Sequence, residues 1–393
     1  MSVKRKIAVV TGSRAEFGIL LPVIRELQCR ASIDVQLIAT GSHLAASKGQ
    51  TINEIKSFGL DVAGTVPMFL DGDDYEAIGS SVGLGVLGFT RELSRLAPDI
   101  VLLLGDRYEI FAVATAAMCL NIPIAHIAGG ESDFATCADG NIRNAITKLA
   151  HIHFVSTALY AARVRGMGEE SWRIYNAGLP SIDGIKSDLI TKEALAENLG
   201  ICLCPRCFLV TYNVVGLRIA ESLAELDAML AALDEYAADT SIVITLSNAD
   251  AAGREIDARI RAFAEPRRNV HVFQSLGKRR YLSMLNVCDA VIGNSSSGII
   301  EAPSFSVGTV NIGARQDGRM HPPSVVNTGG DKDEIVSGIQ TVLSAAFRAS
   351  LQGHINPFGD GHANELIADV LENIAIDGKL IEKRLDVYPA LEV

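Results

Sequence analysis

A chain of 393 residues is longer than one hydrophobic core usually supports, so two domains are expected, and 48% hydrophobic residues suffice for two buried cores. The formal net charge of −11 argues against a nucleic-acid groove, and no apolar run free of charge is long enough to span a membrane. The basic start VKRKIAVVTG runs straight into a strand and carries too short an apolar stretch for an export signal, and seven scattered cysteines fit reduced thiols, so a cytoplasmic protein is expected.

In chain order, the strand KIAVVTG leads to a turn at Gly12–Arg14 and a helix from Ala15 to about Arg30. The strands DVQLIATG, DIVLLLGD, PIAHIAGG and HIHFVST follow, with helices over Ser80–Ala97, Arg107–Leu120 and Gly140–Leu149. Near-continuous apolar strands alternating with helices predict a parallel sheet covered on both faces. A hinge is expected in Asn176–Ser187, where Gly, Pro and Asp interrupt the apolar periodicity. The pattern then restarts with the strands CFLVTYN, SIVITLSN, VHVFQSLG, DAVIGNS and the shorter GTVNIG, with a helix over Ala220–Tyr236. The fold class expected is α/β, with an N-terminal Rossmann-like domain over residues 1–178 and a second over 188–360. In residues 361–393 the helix Ala363–Ile376 is expected to cross back to the first domain.

Ligands of open parallel sheets sit at the carboxyl ends of the strands. Arg14, His43, Asp106, Glu131, Asn213, Asn248 and Ser295 all fall there, which suggests a site between two facing domains. The richest segment is Asp289–Pro303, DAVIGNSSSGIIEAP: a strand, a Ser/Gly turn and the start of a helix. Ser295, Ser296, Ser297 and Gly298 lie where free backbone N–H groups and a positive helix end would meet a phosphate, and Glu301 follows within reach of a ribose diol. A nucleoside diphosphate is the expected ligand.

Each candidate has a plainer reading. Arg14 can clamp a phosphate or form a surface ion pair. Asp106 can be a base or the N-cap of the next helix. Glu131 follows two glycines, and Asp139 and Arg143 are spaced to meet on one helix face, although Asp139 can equally be a cap. Three acids in proximity would raise one another's pKa values and supply both a proton donor and a base. Asp250, Arg254, Arg315 and Arg319 are loop charges of the second domain; Arg315, which follows a strand, is placed as a second phosphate or uracil-side contact, against the plainer reading of a solvated loop charge for each arginine. Cys202, Cys204 and Cys207 lack a fourth ligand nearby, and the pair His151 and His153 is better read as strand packing, so no metal site is expected.

Taken in order, TGSRAEFG, ATGSHL, LLLGDRYE, HIAGGE with DGNIRNAITKLAHIHF, SNADAAGR, SLGKRRYL, GNSSSGIIEAPS and NIGARQDGR resemble the hydrolysing branch of the UDP-N-acetylglucosamine 2-epimerase family. The resemblance covers roughly Ile7–Val325. It implies a GT-B-type pair of Rossmann-like domains facing across a cleft, the nucleotide held mainly by the second, and a homodimer or homotetramer. It implies the conversion of UDP-N-acetylglucosamine and water to N-acetylmannosamine and UDP in sialic acid biosynthesis, through elimination of UDP to a glycal and hydration. No cofactor is implied. Alternatives are the sister hydrolysing enzyme acting on UDP-N,N'-diacetylbacillosamine, a GT-B glycosyltransferase, or an inactive sugar-nucleotide sensor. By the resemblance Asp106, Asp139 and His43 match acid–base or sugar-contact positions, and Arg14, Ser295, Ser296, Glu301 and Arg315 match nucleotide contacts; Glu131 is added as a candidate catalytic acid, and Gly298, Asn213 and Asn248 as candidate substrate contacts. Two departures stand out: Ala128 replaces a glutamate and Asn213 a histidine found in many members. The loop Asp133–Ala138 also looks about one residue longer than usual.

Overall fold

The computed structural model describes residues 4–70, 75–131, 137–215, 218–246 and 253–385. They form two compact α/β units, one running to Asp183 and resuming at Pro357, the other spanning Gly184–Asn356.

The first unit is built on seven parallel strands: β1 (Arg5–Thr11), β2 (Ile33–Thr40), β3 (Val62–Val66), β4 (Ile100–Leu104), β5 (Ile124–Ile127), β6 (Ile152–Val155) and β7 (Ile174–Asn176). Their order is β3-β2-β1-β4-β5-β6-β7. The central strands are buried on both faces, as in IVLLL of β4 and IHFV of β6, because helices cover both sides. Each large aliphatic side chain so buried contributes roughly 1.5–3 kcal/mol. The helix Arg14–Cys29 starts where Ser13 forms a capping box with Glu16. The strands β3 and β7 were not expected from the sequence. Both are edge strands of three to five residues with mixed burial, so they lack the continuous apolar run that marks a central strand. The helices expected to begin at Ser80 and Gly140 begin earlier, at Tyr75 and Cys137.

The chain rejoins the first unit where Leu179 N donates to Phe358 O at 2.6 Å. The Asp183 carboxylate then accepts from Ala363 N and Asn364 N, holding the start of the helix Ala363–Asn373. That helix packs on Arg14–Cys29, with Arg30 bonded to Asp369 and Glu372.

The second unit has six parallel strands: β8 (Arg206–Thr211), β9 (Thr240–Thr245), β10 (Val270–Phe273), β11 (Ala290–Gly293), β12 (Gly308–Ile312) and β13 (Val325–Thr328). Their order is β10-β9-β8-β11-β12-β13, and β13 is again a half-exposed edge strand missed in the sequence. Phe208, Val210, Ile244, Ile292 and Val310 form its core with Leu226, Met229, Ile335 and Ile339 from two covering helices. Among the described residues no helix is long and apolar enough to cross a membrane, and no group of three or more His, Cys, Asp or Glu is placed to hold a metal ion.

In each sheet the direction of winding reverses once: between β1 and β4 in the first unit, and between β8 and β11 in the second. The crevice outside the carboxyl ends of such strands is where open α/β sheets bind ligands.

Candidate functional site

In the first unit, register aligns Leu104 with Ile127 and Ile127 with Phe154, so the loops after β4, β5 and β6 emerge side by side. Gly105 turns the chain at φ +79°, and Asp106 follows. The N-cap of the next helix, Tyr108–Cys119, is Arg107 and makes no side-chain cap bond. The Asp106 carboxylate instead pairs with Arg143 Nη2. Arg143 rises from the helix Cys137–Leu149, and its side chain is only 10% exposed. Its Nη1 donates to Ala128 O at 2.8 Å and lies 3.9 Å from Glu131 Oε2. Glu131 Oε1 accepts from Ser156 Oγ at 2.8 Å. Asp139 stands on the same helix, four residues before Arg143.

Asp106 and Glu131 therefore share a cation, so Arg143 replaces the mutual repulsion expected of neighbouring acids. The guanidinium fixes both carboxylates in orientation. Ala128, the first departure from the family pattern, holds φ +66°, a conformation that costs a non-glycine residue roughly 1–2 kcal/mol. That turn aims its carbonyl at Arg143. The glycines before Glu131 serve packing: a Cβ on Gly130, at φ +75°, would stand 2.7 Å from Tyr160 O.

His126 was not singled out in the sequence. It is fully buried, donates from Nε2 to Gly105 O at 2.8 Å and so braces the turn carrying Asp106. Burial, opposed in part by that bond, holds its pKa down at about 3, so the ring is neutral.

Other predicted residues of this unit are placed differently. Arg14 is largely exposed and pairs with Glu54 at 3.0 Å, as in the surface ion-pair reading. His43 is buried, with Nε2 3.0 Å from Thr11 Oγ1 and Nδ1 2.7 Å from Thr51 Oγ1, so both ring nitrogens are engaged. Burial lowers its pKa. His153 bonds buried Glu169 at 3.0 Å, and His151 Nδ1 accepts from Ile124 N at 3.2 Å.

In the second unit, Thr211, Thr245 and Gly293 are register partners on three adjacent strands. Gly293 is required there: at φ +128° a Cβ would sit 2.0 Å from Thr211 O. This close approach brings buried Asn294 across to Asn213. Asn294 Oδ1 accepts from Asn213 N at 2.7 Å, and its Nδ2 donates to Asn213 O at 2.8 Å. Asn213, the second departure from the family pattern, is thus tied by its backbone to the turn after β11.

Beside this tie lies a pocket of about 630 Å³, within the usual range for small ligands. Thr211, Asn213 and Thr245 line it from the strand ends; Gln274–Lys278 and Tyr281 line it from the loop and helix after β10; Ser295, Ser297 and Glu301 line it from the turn after β11. Among the described residues the backbone N–H groups of Ser295 and Ser296 have no acceptor, and Ser297 N has only Ser295 Oγ at 3.4 Å. Such free amides suit an anionic oxygen, and the hydroxyls suit a polyol. Burial raises the pKa of Glu301, opposed by a hydrogen bond from Ser297 and by the charge of Lys278.

The helix end expected behind this turn is weaker than the sequence suggested. The α-helix Ser297–Ile300 lasts one turn and passes into the 3₁₀ turn Ala302–Phe305, so little macrodipole accumulates. Gly298 does not face the pocket: a Cβ there would meet Thr309 Cγ2 at 2.6 Å, so its role is packing against β12. Ser296 and Arg315 are not lining residues either. Arg315 Nη1 donates to Asn294 O at 3.0 Å, joined by Gln316 Nε2 at 2.8 Å, and together they hold the turn from behind. Arg254 is exposed on the helix Gly253–Ala264, and Asn248, Asp250 and most of the loop 133–138 lie outside the described residues. In the cysteine cluster, the buried Cys207 thiol donates to Cys204 O while Cys202 is exposed.

A family model described as UDP-N-acetylglucosamine 2-epimerase matches residues 25–372. A Campylobacter jejuni protein named GDP/UDP-N,N'-diacetylbacillosamine 2-epimerase (hydrolyzing) is 32% identical, across 98% of this chain and 100% of its own length. Its Legionella pneumophila counterpart, named UDP-N,N'-diacetylbacillosamine 2-epimerase (hydrolyzing), is also 32% identical, across 96% and 98%. The solved UDP-GlcNAc 2-epimerase of Neisseria meningitidis, bound to UDP-GlcNAc, has the same fold: the TM-score is 0.73 at 19% identity, over 93% of this chain and 99% of that one.

Proposed function

This chain belongs to the UDP-N-acetylglucosamine 2-epimerase family, and from that premise we propose that it is a hydrolysing UDP-sugar 2-epimerase acting on UDP-N,N'-diacetylbacillosamine. Two relatives matched over nearly their whole length carry that activity in their names, which favours it over UDP-N-acetylglucosamine, the substrate implied by the motifs alone.

The observation that carries the chemistry is the Asp106–Arg143–Glu131 arrangement at one set of strand ends. The C2 proton of the sugar is barely acidic, so its removal must be coupled to departure of the diphosphate from C1. One carboxylate takes that proton, the C1–O bond to UDP breaks, and a C1=C2 glycal forms. Water then adds its hydroxyl to C1, losing its proton to a neighbouring carboxylate, while a second acid returns a proton to C2 on the opposite face, giving the epimer. Asp106 is assigned the first proton, and Glu131 with Asp139 the second. Arg143 holds the carboxylates in place through both steps. His43, with both nitrogens occupied, is assigned a supporting role in its loop. The diphosphate is assigned to the amides of Ser295 and Ser297, both of which line the pocket, and they stabilise it as a leaving group. Ser297 and Glu301 receive the ribose, and Asn213 completes the pocket wall.

The test incubates the protein with each UDP-sugar in deuterated water and follows the products by NMR. The proposal expects free 2-epimerised sugar carrying deuterium at C2, with faster turnover of the diacetylbacillosamine nucleotide. Turnover of UDP-N-acetylglucosamine alone would reassign the substrate. A product without deuterium would remove the elimination step.

A further inference from the structure

Tyr281 belongs to the helix Gly277–Val287, and its side chain lines the pocket of the second unit. Its hydroxyl is buried and forms no hydrogen bond of ordinary geometry, although the hydroxyls of Thr211 and Ser297 lie beside it. Burial pushes the phenol up to about 12, so at neutral pH it keeps its proton and is available as a donor. Of the two neighbours, Thr211 Oγ1 is paired with Thr245 Oγ1 at 2.5 Å, which leads away from Glu301. Ser297 Oγ gives its one proton to Glu301 Oε2, which leaves its oxygen able to accept. A small rotation of Ser297 or Tyr281 completes a chain from Tyr281 through Ser297 to Glu301.

Glu301 needs such a restraint. Ser297 holds one of its oxygens, while the one cation among the described lining residues, Lys278, attracts it. A carboxylate held by a hydroxyl on one oxygen presents its remaining lone pairs in a fixed direction, which is what acceptance from two adjacent sugar hydroxyls requires.

We propose that Tyr281 is a positioning residue which, through Ser297, orients Glu301 and so gives the pocket its preference for a ribonucleoside diphosphate over the deoxyribonucleoside. This rests on the nucleotide assignment made above. The bound nucleotide closes the chain: Tyr281 donates to Ser297, Ser297 to Glu301, and Glu301 accepts from the 2′- and 3′-hydroxyls.

The test titrates UDP and 2′-deoxy-UDP by calorimetry into the wild-type protein, Tyr281→Phe and Ser297→Ala. The wild type is expected to prefer UDP by about tenfold or more. Tyr281→Phe keeps the ring and is expected to cut that preference several-fold by weakening UDP, with 2′-deoxy-UDP affected less than twofold. Ser297→Ala should do the same, and the double variant no more than either alone. Equal weakening of both nucleotides in Tyr281→Phe would show a packing role and overturn the proposal, as would an unchanged preference. Absence of UDP binding by the wild type would instead overturn the nucleotide assignment, and this inference with it.

Discussion

Replacing Arg143 with methionine keeps most of the volume and apolar stem but removes the guanidinium that joins Asp106, Glu131 and the Ala128 carbonyl. Removing one partner of a buried ion pair costs about 3–5 kcal/mol, because the other charge is left unpaired. The Asp106 side chain keeps 23% of its exposure, so water partly hydrates the orphaned carboxylate and the cost falls to about 2–3 kcal/mol. Loss of the bond to Ala128 O adds about 1 kcal/mol. The expected total is about 3–4 kcal/mol. Urea denaturation measures it, and the single tryptophan, Trp172, lies in the first unit and reports on that unit's unfolding. Asp106→Asn in the Arg143→Met background removes the stranded charge, so the double variant should be more stable than the sum of the singles by about 1–2 kcal/mol. Asp106→Asn alone should lower turnover by roughly 10²–10⁴ if Asp106 moves the C2 proton. A cost below about 1 kcal/mol for Arg143→Met, or strict additivity, would refute the claim that the guanidinium organises the acids.

Two other predictions test the turns that support the two sets of strand ends. Burial, reinforced by the charge of Glu109, raises the pKa of Glu16 to about 7, against an ordinary 4.5; the amides of Gly12 and Ser13 oppose it. A carboxyl with a raised folded-state pKa stabilises the fold fully below 4.5 and loses that stabilisation as pH climbs to about 7. Stability of the wild type should therefore fall across that window by up to about 1.4 kcal/mol per pH unit, and Glu16→Gln should flatten the decline; parallel pH–stability curves would be the contrary result. In the second unit, Asn294→Ala removes both side-chain hydrogen bonds to the Asn213 backbone, so it should cost about 2–4 kcal/mol and weaken UDP binding together, read by thermal shift with and without UDP; an unchanged melting temperature would show that the tie is dispensable.

How much of this was legible beforehand depended on how local the cause was. The central strands announce themselves because burial on both faces demands an unbroken apolar run, as in IVLLL, and a strand end followed by Gly and a polar residue marks a loop wherever it falls. The edge strands β3, β7 and β13 escaped because one side meets solvent and the run is broken. Among the site candidates, Asp106 and Glu131, the two acids that Arg143 joins, were nameable from strand ends and from the spacing of glycines. Arg143 was noticed only as a helix neighbour of Asp139. No spacing rule connects it to Asp106, 37 positions away.

The amino-acid order by itself determined the α/β class, the parallel sheets and the chemical kind of residue that gathers at the strand ends, because those follow from apolar periodicity and turn chemistry within short windows. Only the tertiary structure decided which partner each polar group takes. It turned Arg14 outward to Glu54, enclosed His43 between two threonines and set Gly298 against β12. It also joined Asn213 to Asn294, 81 positions apart. Hydrogen bonds and ion pairs act over about 3 Å, and which groups come that close is fixed by strand register and winding order, properties of the assembled sheet that no short window of sequence contains.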